Sequence, residues 1–405
     1  MKIAFLLTQS LESPSGLGRF GPLARGLAHL GHKVEIFALH PDPKARPTRF
    51  QDGGVTVEYV APMHVVKQGS QKTYYSSPRL LAVAARATWG LMRAALRSDA
   101  EILHICKPHP MNALAGWTAR GLRRPRLFLD CDDYEAGSGR FGAGWQQRGV
   151  ALFEKWTPAT VEGVTTNTHF MRQNLLDWGV PAEAITYLPN GIEPGRFTRP
   201  SEARRQALRE RLNLVGKRVV LYVGSLSLPS HPVDLLLQAF AAIAPTDPDL
   251  RLLVVGGGEQ LEAFQTLAGQ LGIAETTIFA GRAAPEEVAA YYALAEVSVD
   301  PVHDDQSARG RSPLKLFESW ACEVPFVSAT VGDRPSLAGD PPAALLTEPG
   351  DPTALATALT AVLTQPELAA ALRQAGRHRL PAFTFDRLAQ DLEAVYRVNR
   401  PQTRP

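Results

Sequence analysis

The chain has 405 residues, 45% of them hydrophobic and 20% charged, a length and balance that point to two globular domains with their own cores and exclude a largely disordered protein. A net charge of only +3 gives no basis for nucleic-acid binding. Cys106, Cys131 and Cys322 are too few and scattered for a disulfide framework or zinc site, and no run of about 18 apolar residues occurs, so a cytoplasmic protein without a membrane span is expected.

Lys2 to Thr8 predicts a buried strand, followed by a loop with Gly16 and Gly18, a helix to about Leu30, and a second strand at Val34 to Ala38. The loop spacing Gly16, Gly18, Gly21 resembles a dinucleotide fingerprint, and its glycines let backbone N–H groups approach a ligand. No acidic residue follows the second strand, where Phe37, Ala38, Leu39 and His40 stand, which argues against a dinucleotide. After a strand at Val55 to Val60, Pro78 to Arg97 predicts a long helix with Arg79, Arg86, Arg93 and Arg97 beside Trp89 and Met92. Two readings of it stand: a core-packing helix with a solvated basic side, or contact with an acidic membrane surface or anionic acceptor.

Glu101 to Ile105 predicts another strand, and the Lys107-Pro108-His109-Pro110 loop at its carboxyl end is where an open parallel sheet binds ligands, so His109 is a candidate substrate contact. Leu127 to Leu129 ends in Asp130-Cys131-Asp132-Asp133. Such a cluster could bind Mg²⁺, but Tyr134 and Glu135 do not fit the phosphatase version, and a capping or acceptor-binding role is preferred. A strand at Val164 to Thr166, a helix from His169 to Trp178 and a strand at Ile185 to Leu188 lead to Pro189-Asn190-Gly191-Ile192. Glu193 to Ser201 reads as an interdomain linker.

The second half repeats the pattern: helix Glu202 to Arg211, strand Arg218 to Val223, a loop from Gly224 and Ser225 to Pro232, helix Val233 to Ile243, strand Leu250 to Val255, the Gly256-Gly257-Gly258 turn and helix Glu259 to Leu271. Strand Thr277 to Phe279, a turn at Gly281-Arg282, helix Pro285 to Leu294 and strand Glu296 to Asp300 follow. Such alternation demands doubly wound parallel sheets in both halves. In Arg309 to Pro325, Ser312-Pro313 predicts a helix start with Ser312 as cap. Free N–H groups, Lys315 in the first turn, and Arg309 and Arg311 upstream suit a diphosphate, while Glu318 could accept hydrogen bonds from a sugar. The alternative is a capped surface helix with a solvated Lys–Glu pair.

In order, the Gly16/Gly18 loop, ITYLPNGIEPGRF, VLYVGSL, LRLLVVGGGEQ and SPLKLFESWACEVPFV resemble the GT-B glycosyltransferases, specifically the retaining nucleotide-sugar enzymes of family 4 (glycosyl transferases group 1). The resemblance implies an α/β architecture of two Rossmann-like domains facing a cleft. Residues 1–195 would bind the acceptor, residues 196–382 the nucleotide sugar, and a helix over 383–398 would pack back on the first domain. It implies an enzyme that moves a sugar from a nucleoside-diphosphate sugar to an acceptor hydroxyl with retention, without metal or cofactor. The acceptor would be a sugar, lipid or small molecule, and peripheral association with the inner membrane face fits the same reading.

Carried onto this chain, His109, Lys315 and Arg311 are the expected catalytic residues. Gly16, Gly18, Gly224, Ser225, Arg282, Arg309, Ser312, Leu314, Lys315 and Glu318 are the expected donor contacts, with base contacts near Gly281 and Arg282. Two departures stand out. Gly310 replaces the family's usual second glutamate, leaving Asp304 or Asp305 to reach the sugar. Ser225 and His231-Pro232 replace the basic residues of the loop after the second domain's first strand, shifting the diphosphate's charge onto Arg309, Arg311 and Lys315. A sugar-nucleotide epimerase of the same fold and a non-catalytic binding protein are the alternatives.

Overall fold

The computed structural model describes residues 1–42, 47–63, 65–68, 71–137, 144–227 and 231–398. The chain forms two compact units, one comprising Met1–Gly191, Gly310–Ser312 and the segment from Thr384, the other Ile192–Arg309 and Pro313–Phe383. The break falls ahead of the expected linker because Ile192 and Phe197 are buried in the second unit's core with Phe317 and Trp320.

In the first unit, strands β1 (Lys2–Leu7), β2 (Lys33–His40), β3 (Arg49–Asp52), β4 (Val55–Pro62), β5 (Val65–Gln68), β6 (Gln71–Tyr74), β7 (Ile102–Cys106), β8 (Arg126–Cys131), β9 (Gly163–Thr166) and β10 (Ile185–Tyr187) alternate with α1 (Gly21–His29), α2 (Ser77–Arg97), α3 (Pro110–Arg123), α4 (Gly144–Trp156) and α5 (His169–Asp177). Eight strands form one sheet in the order β10-β9-β8-β7-β1-β2-β4-β3, and β5 and β6 pair as a separate hairpin. All neighbours in the large sheet are parallel except the β3–β4 edge pair. The unbroken apolar run of β1 follows from burial on both faces. Ile3, Phe5 and Leu7 face the core that holds α1 and the C-terminal helix (Phe385–Arg397), and Ala4 and Leu6 face the core under α2 and α3.

Thr384 Oγ1 caps that last helix by accepting from the Arg387 N–H at 3.3 Å, and its Phe385, Leu388, Ala389, Leu392 and Tyr396 are buried. Gly26 on α1 is required by its approach: a Cβ there would lie 2.7 Å from Ala389 Cβ and 2.9 Å from the Phe385 carbonyl oxygen.

The second unit contains β11 (Arg218–Val223), β12 (Leu250–Val255), β13 (Thr277–Gly281), β14 (Val297–Val299), β15 (Phe326–Ala329) and β16 (Leu345–Thr347), with α6 (Glu202–Arg211), α7 (Val233–Ile243), α8 (Leu261–Gln270), α9 (Val288–Tyr292), α10 (Gln306–Arg309), α11 (Leu314–Ala321), α12 (Arg334–Ala338), α13 (Pro352–Thr364) and α14 (Pro366–Arg379). Its sheet is wholly parallel, in the order β13-β12-β11-β14-β15-β16. Along β11, Val220 and Tyr222 pack with α7 and α13, while Val219 and Leu221 pack with α6 and α9.

Candidate active site

In the second unit, the carboxyl ends of β11 and β12 are joined backbone to backbone. Gly224 N–H donates to the Val255 carbonyl at 2.9 Å and Leu226 N–H to that of Gly257 at 3.2 Å. Gly256 has φ +154°, and a Cβ on it would lie 1.7 Å from Gly224 O, so only glycine fits. Gly224 is small for a different reason: a Cβ there would come within 2.8 Å of Lys315 Cε. Ser225 is exposed, and its carbonyl accepts from the Tyr222 hydroxyl at 2.8 Å. Arg282 lies along the neighbouring turn, its Nε 3.0 Å from where a Gly257 Cβ would be.

α11 begins one residue after the expected start. Pro313 occupies the N-cap position with extended ψ of 98° and no side-chain cap. Ser312 does not cap this helix, a correction to the sequence reading. Its Oγ accepts from Asn190 N–H at 3.3 Å and its carbonyl from Asn190 Nδ2 at 3.4 Å, all within the first unit. Leu316 is the first residue of α11 whose N–H finds a carbonyl, that of Pro313 at 3.2 Å. The N–H groups of Leu314 and Lys315 precede it and are open to an anion.

Lys315 Nζ stands 2.8 Å from Asp300 Oδ1 and 5.2 Å from the Tyr222 ring centre. Arg334 donates to Asp300 Oδ2 at 2.9 Å. Burial of Asp300 opposes ionisation, but Lys315 and Arg334 outweigh it and hold the carboxyl well below its ordinary range. The group of two cations and one anion is therefore net positive. Glu318, one turn along α11, accepts from the Tyr292 hydroxyl through Oε2 at 3.0 Å. Burial lifts its carboxyl above the ordinary range, against the Tyr292 hydrogen bond and the Lys315 charge.

Arg309 makes a two-pronged pair with Asp304, at 2.6 and 2.7 Å, where both side chains are well exposed, so its charge already has a local partner. Asp305 Oδ1 accepts from Ala308 N–H at 2.7 Å. Both carboxylates proposed to replace the missing glutamate at Gly310 are thus engaged locally. Arg311 is half-buried and groups with the first unit.

In the first unit the expected glycine loop is helical. Gly16–Phe20 forms a wide π turn that runs directly into α1, and Gly21 is already helical. Gly16 is needed because a Cβ would lie 2.3 Å from the Ser10 carbonyl oxygen, and Gly18 belongs to the same turn. Arg19 points inward and makes a buried two-pronged pair with Asp130 at 2.9 and 2.7 Å, with a third bond to Asn190 Oδ1 at 3.0 Å. Sequence reasoning missed Arg19; its signal was a charged residue on the inward side of an otherwise apolar helix start.

His109 stands at the N-cap of α3. Its Nδ1 is 2.8 Å from Thr8 Oγ1 and its Nε2 3.5 Å from Glu135 Oε2. The acidic cluster weighed for Mg²⁺ already encloses a cation. Fully buried Lys107 places Nζ 2.5 Å from Glu135, 2.9 Å from Asp132 and 3.1 Å from Asp133. Lys107 adopts φ +99°, outside the usual range for a side-chain-bearing residue. Burial pushes Asp132 up to about 7, with Lys107 pulling the other way. Glu154, also pushed up to about 7 by burial, accepts from the Glu135 and Ala136 N–H groups.

Residues 204–379 match the family described as glycosyl transferases group 1, and residues 17–191 match a glycosyl transferase 4-like domain. The chain is 32% identical to a GDP-mannose-dependent alpha-(1-6)-phosphatidylinositol monomannoside mannosyltransferase of Mycolicibacterium smegmatis, over 53% of this chain and 56% of that relative. The match thus spans just over half of that relative's length. A D-inositol 3-phosphate glycosyltransferase of Geodermatophilus obscurus is 29% identical over 96% of this chain and 87% of its own. Among solved structures, the fold is similar to sucrose-phosphate synthase of Thermosynechococcus elongatus, with TM-score 0.78, 21% identity and 98% of each chain covered. It is also similar to Anabaena HepE in complex with UDP-glucose, with TM-score 0.71, 18% identity and 98% and 99% coverage.

Proposed function

We propose that this chain, which belongs to the glycosyl transferases group 1 family and has the GT-B fold, moves a sugar from a nucleoside-diphosphate sugar to an acceptor hydroxyl. The observation that carries this reading is Lys315, fixed in the first turn of α11 by Asp300 and passing over Gly224, beside N–H groups that precede the first intrahelical bond. A diphosphate docked there meets aligned N–H dipoles and a net positive side-chain group. As the anomeric carbon–oxygen bond breaks, negative charge grows on the leaving diphosphate, and preorganised donors at that point lower the barrier. Glu318 Oε1 accepts a ribose hydroxyl while Tyr292 fixes the other oxygen. Arg282, along the glycine turn, reaches the base.

Transfer proceeds with retention and without a bound metal in this reading, with Lys315 and the helix start supplying the positive charge at the diphosphate. The acceptor is a polyhydroxylated molecule, a class consistent with the inositol-bearing substrates named for the two relatives. His109 contacts the transferred sugar or the acceptor hydroxyl, held for that task by Thr8 and Glu135.

The test is turnover of a panel of UDP-, GDP-, ADP- and CMP-sugars with inositol-type acceptors, with and without EDTA. K315A should lower kcat by about 10²–10³-fold, the range for removing one preorganised charge-stabilising donor. Unchanged turnover in both K315A and E318A would refute the site, and loss of turnover in EDTA would refute metal independence.

A further inference from the structure

Seven of the ten large apolar side chains exposed among the described residues lie on α2, α3 and α4. These helices lie side by side on one face of the first unit's sheet: α2 and α3 share a core, and Trp117 of α3 stacks on Phe153 of α4 at 5.6 Å. On α4, Trp145, Leu152 and Trp156 recur at one helical face and are 47%, 56% and 61% exposed. On α2, Trp89 and Leu81 are 62% and 57% exposed. Arg79, Arg86 and Arg93, seven residues apart, line the edge beside them and are exposed. Arg148 and Lys155 flank the α4 stripe in the same way.

The charge on these helices is of one sign. They carry eight Lys and Arg residues and a single carboxylate, Glu154. Glu154 is buried, accepting backbone N–H groups, and adds nothing to the surface. Ordinary protein surfaces intersperse both signs.

We propose that α2, α3 and α4 form a docking face for an anionic lipid bilayer, with Trp89, Trp145 and Trp156 entering the headgroup region and the arginines meeting lipid phosphates. Tryptophan at the water–lipid boundary beside basic residues is the composition of interfacial helices. A second copy of this face would bring like charges together, which disfavours self-association. Among the described residues no single helix is long and apolar enough to cross a membrane. The proposal is independent of the transferase reading, because a protein without turnover would dock equally well.

Flotation of the full chain with phosphatidylcholine vesicles, with and without phosphatidylglycerol, tests it. Binding should require the anionic lipid and fall in about 0.5 M salt, where charges are screened beyond a few ångströms. R86Q/R93Q should weaken it about 25-fold, taking about fivefold per arginine. W145A/W156A should also weaken it, and neither double variant should alter the melting temperature or any glycosyl transfer to a water-soluble acceptor. Failure to bind anionic vesicles, equal binding to neutral ones, or full binding by both double variants would overturn the proposal. A dimer in sedimentation that W145A/W156A dissolves would assign the face to a second copy instead and overturn it as well.

Discussion

Lys315 Nζ lies 2.8 Å from Asp300 Oδ1, so the cation assigned to the donor's diphosphate is already seated against a buried carboxylate. The same carboxylate holds Arg334, which is 1% exposed. Removing its charge strands Arg334 without a counter-ion. D300N should therefore cost about 3–5 kcal/mol of stability, the usual penalty for breaking a buried pair from one side. Because the folded Asp300 carboxyl is held below its unfolded value, its contribution is complete above about pH 4 and is lost as pH falls through the folded value. Urea melts at several pH values check this: the wild type should lose a component of stability on acidification that D300N lacks. Identical acid slopes would show that Asp300 is not the group concerned.

Gly224 separates effects on the site from effects on the fold. In G224A the new methyl would meet Lys315 Cε at 2.8 Å and the Tyr222 hydroxyl at 2.7 Å, both side-chain atoms able to shift. The expected outcome is a displaced Lys315, with donor KM raised and kcat lowered by about tenfold or more, and a melting temperature changed by only a few degrees. In G256A the methyl would meet backbone at 1.7 Å on a residue with φ +154°. That variant should lose stability outright, and thermal melts beside kinetics distinguish the two.

Much of the fold could be read from periodicity. β1 and β11 are short apolar runs, the second bounded by Gly216 and Gly224, and the alternation of such runs with helices left only doubly wound sheets. The spacing of α11 likewise placed Lys315 and Glu318 on one face. What could not be read was pairing across long sequence distances. Asp300 and Lys315 are separated by 15 residues and Arg334 and Asp300 by 34, and no local pattern marks them as one group. Asp132 and Asp133 looked like metal ligands because carboxylates cluster in sequence there, whereas their cation, Lys107, comes from the end of the neighbouring strand. Ser312-Pro313 misled for a local reason: an extended proline delayed α11 by one residue and left the serine to bond Asn190.

The Lys107 cluster should give the protein an unusual stability profile. Asp132 and Glu154 are pushed up to about 7 in the folded state. A raised carboxyl binds its proton more tightly folded than unfolded, so stability falls as pH rises from about 4 to about 7 and then levels off. D132N removes one of the two groups while Glu135 and Asp133 still neutralise Lys107. Its stability should therefore decline less steeply over that interval than the wild type's, and chemical denaturation from pH 4 to 8 measures the slopes. A steeper decline in D132N would mean that Asp132 is ionised against Lys107 throughout.

The contact between α1 and the C-terminal helix gives a test of packing alone. Alanine favours a helix over glycine by about 1 kcal/mol, so G26A would stabilise an isolated α1. Here the added Cβ would lie 2.7 Å from Ala389 Cβ and 2.9 Å from the Phe385 carbonyl oxygen, and overpacking a closed core costs about 1–3 kcal/mol. The clash should win, and G26A should be less stable than the wild type. A389G removes the first obstacle and leaves the backbone oxygen, so G26A/A389G should recover part of the loss attributable to the pair, giving a favourable coupling in a double-mutant cycle. Additive effects of the two substitutions would mean that the helices separate freely at this point and that Gly26 is not what fixes their approach.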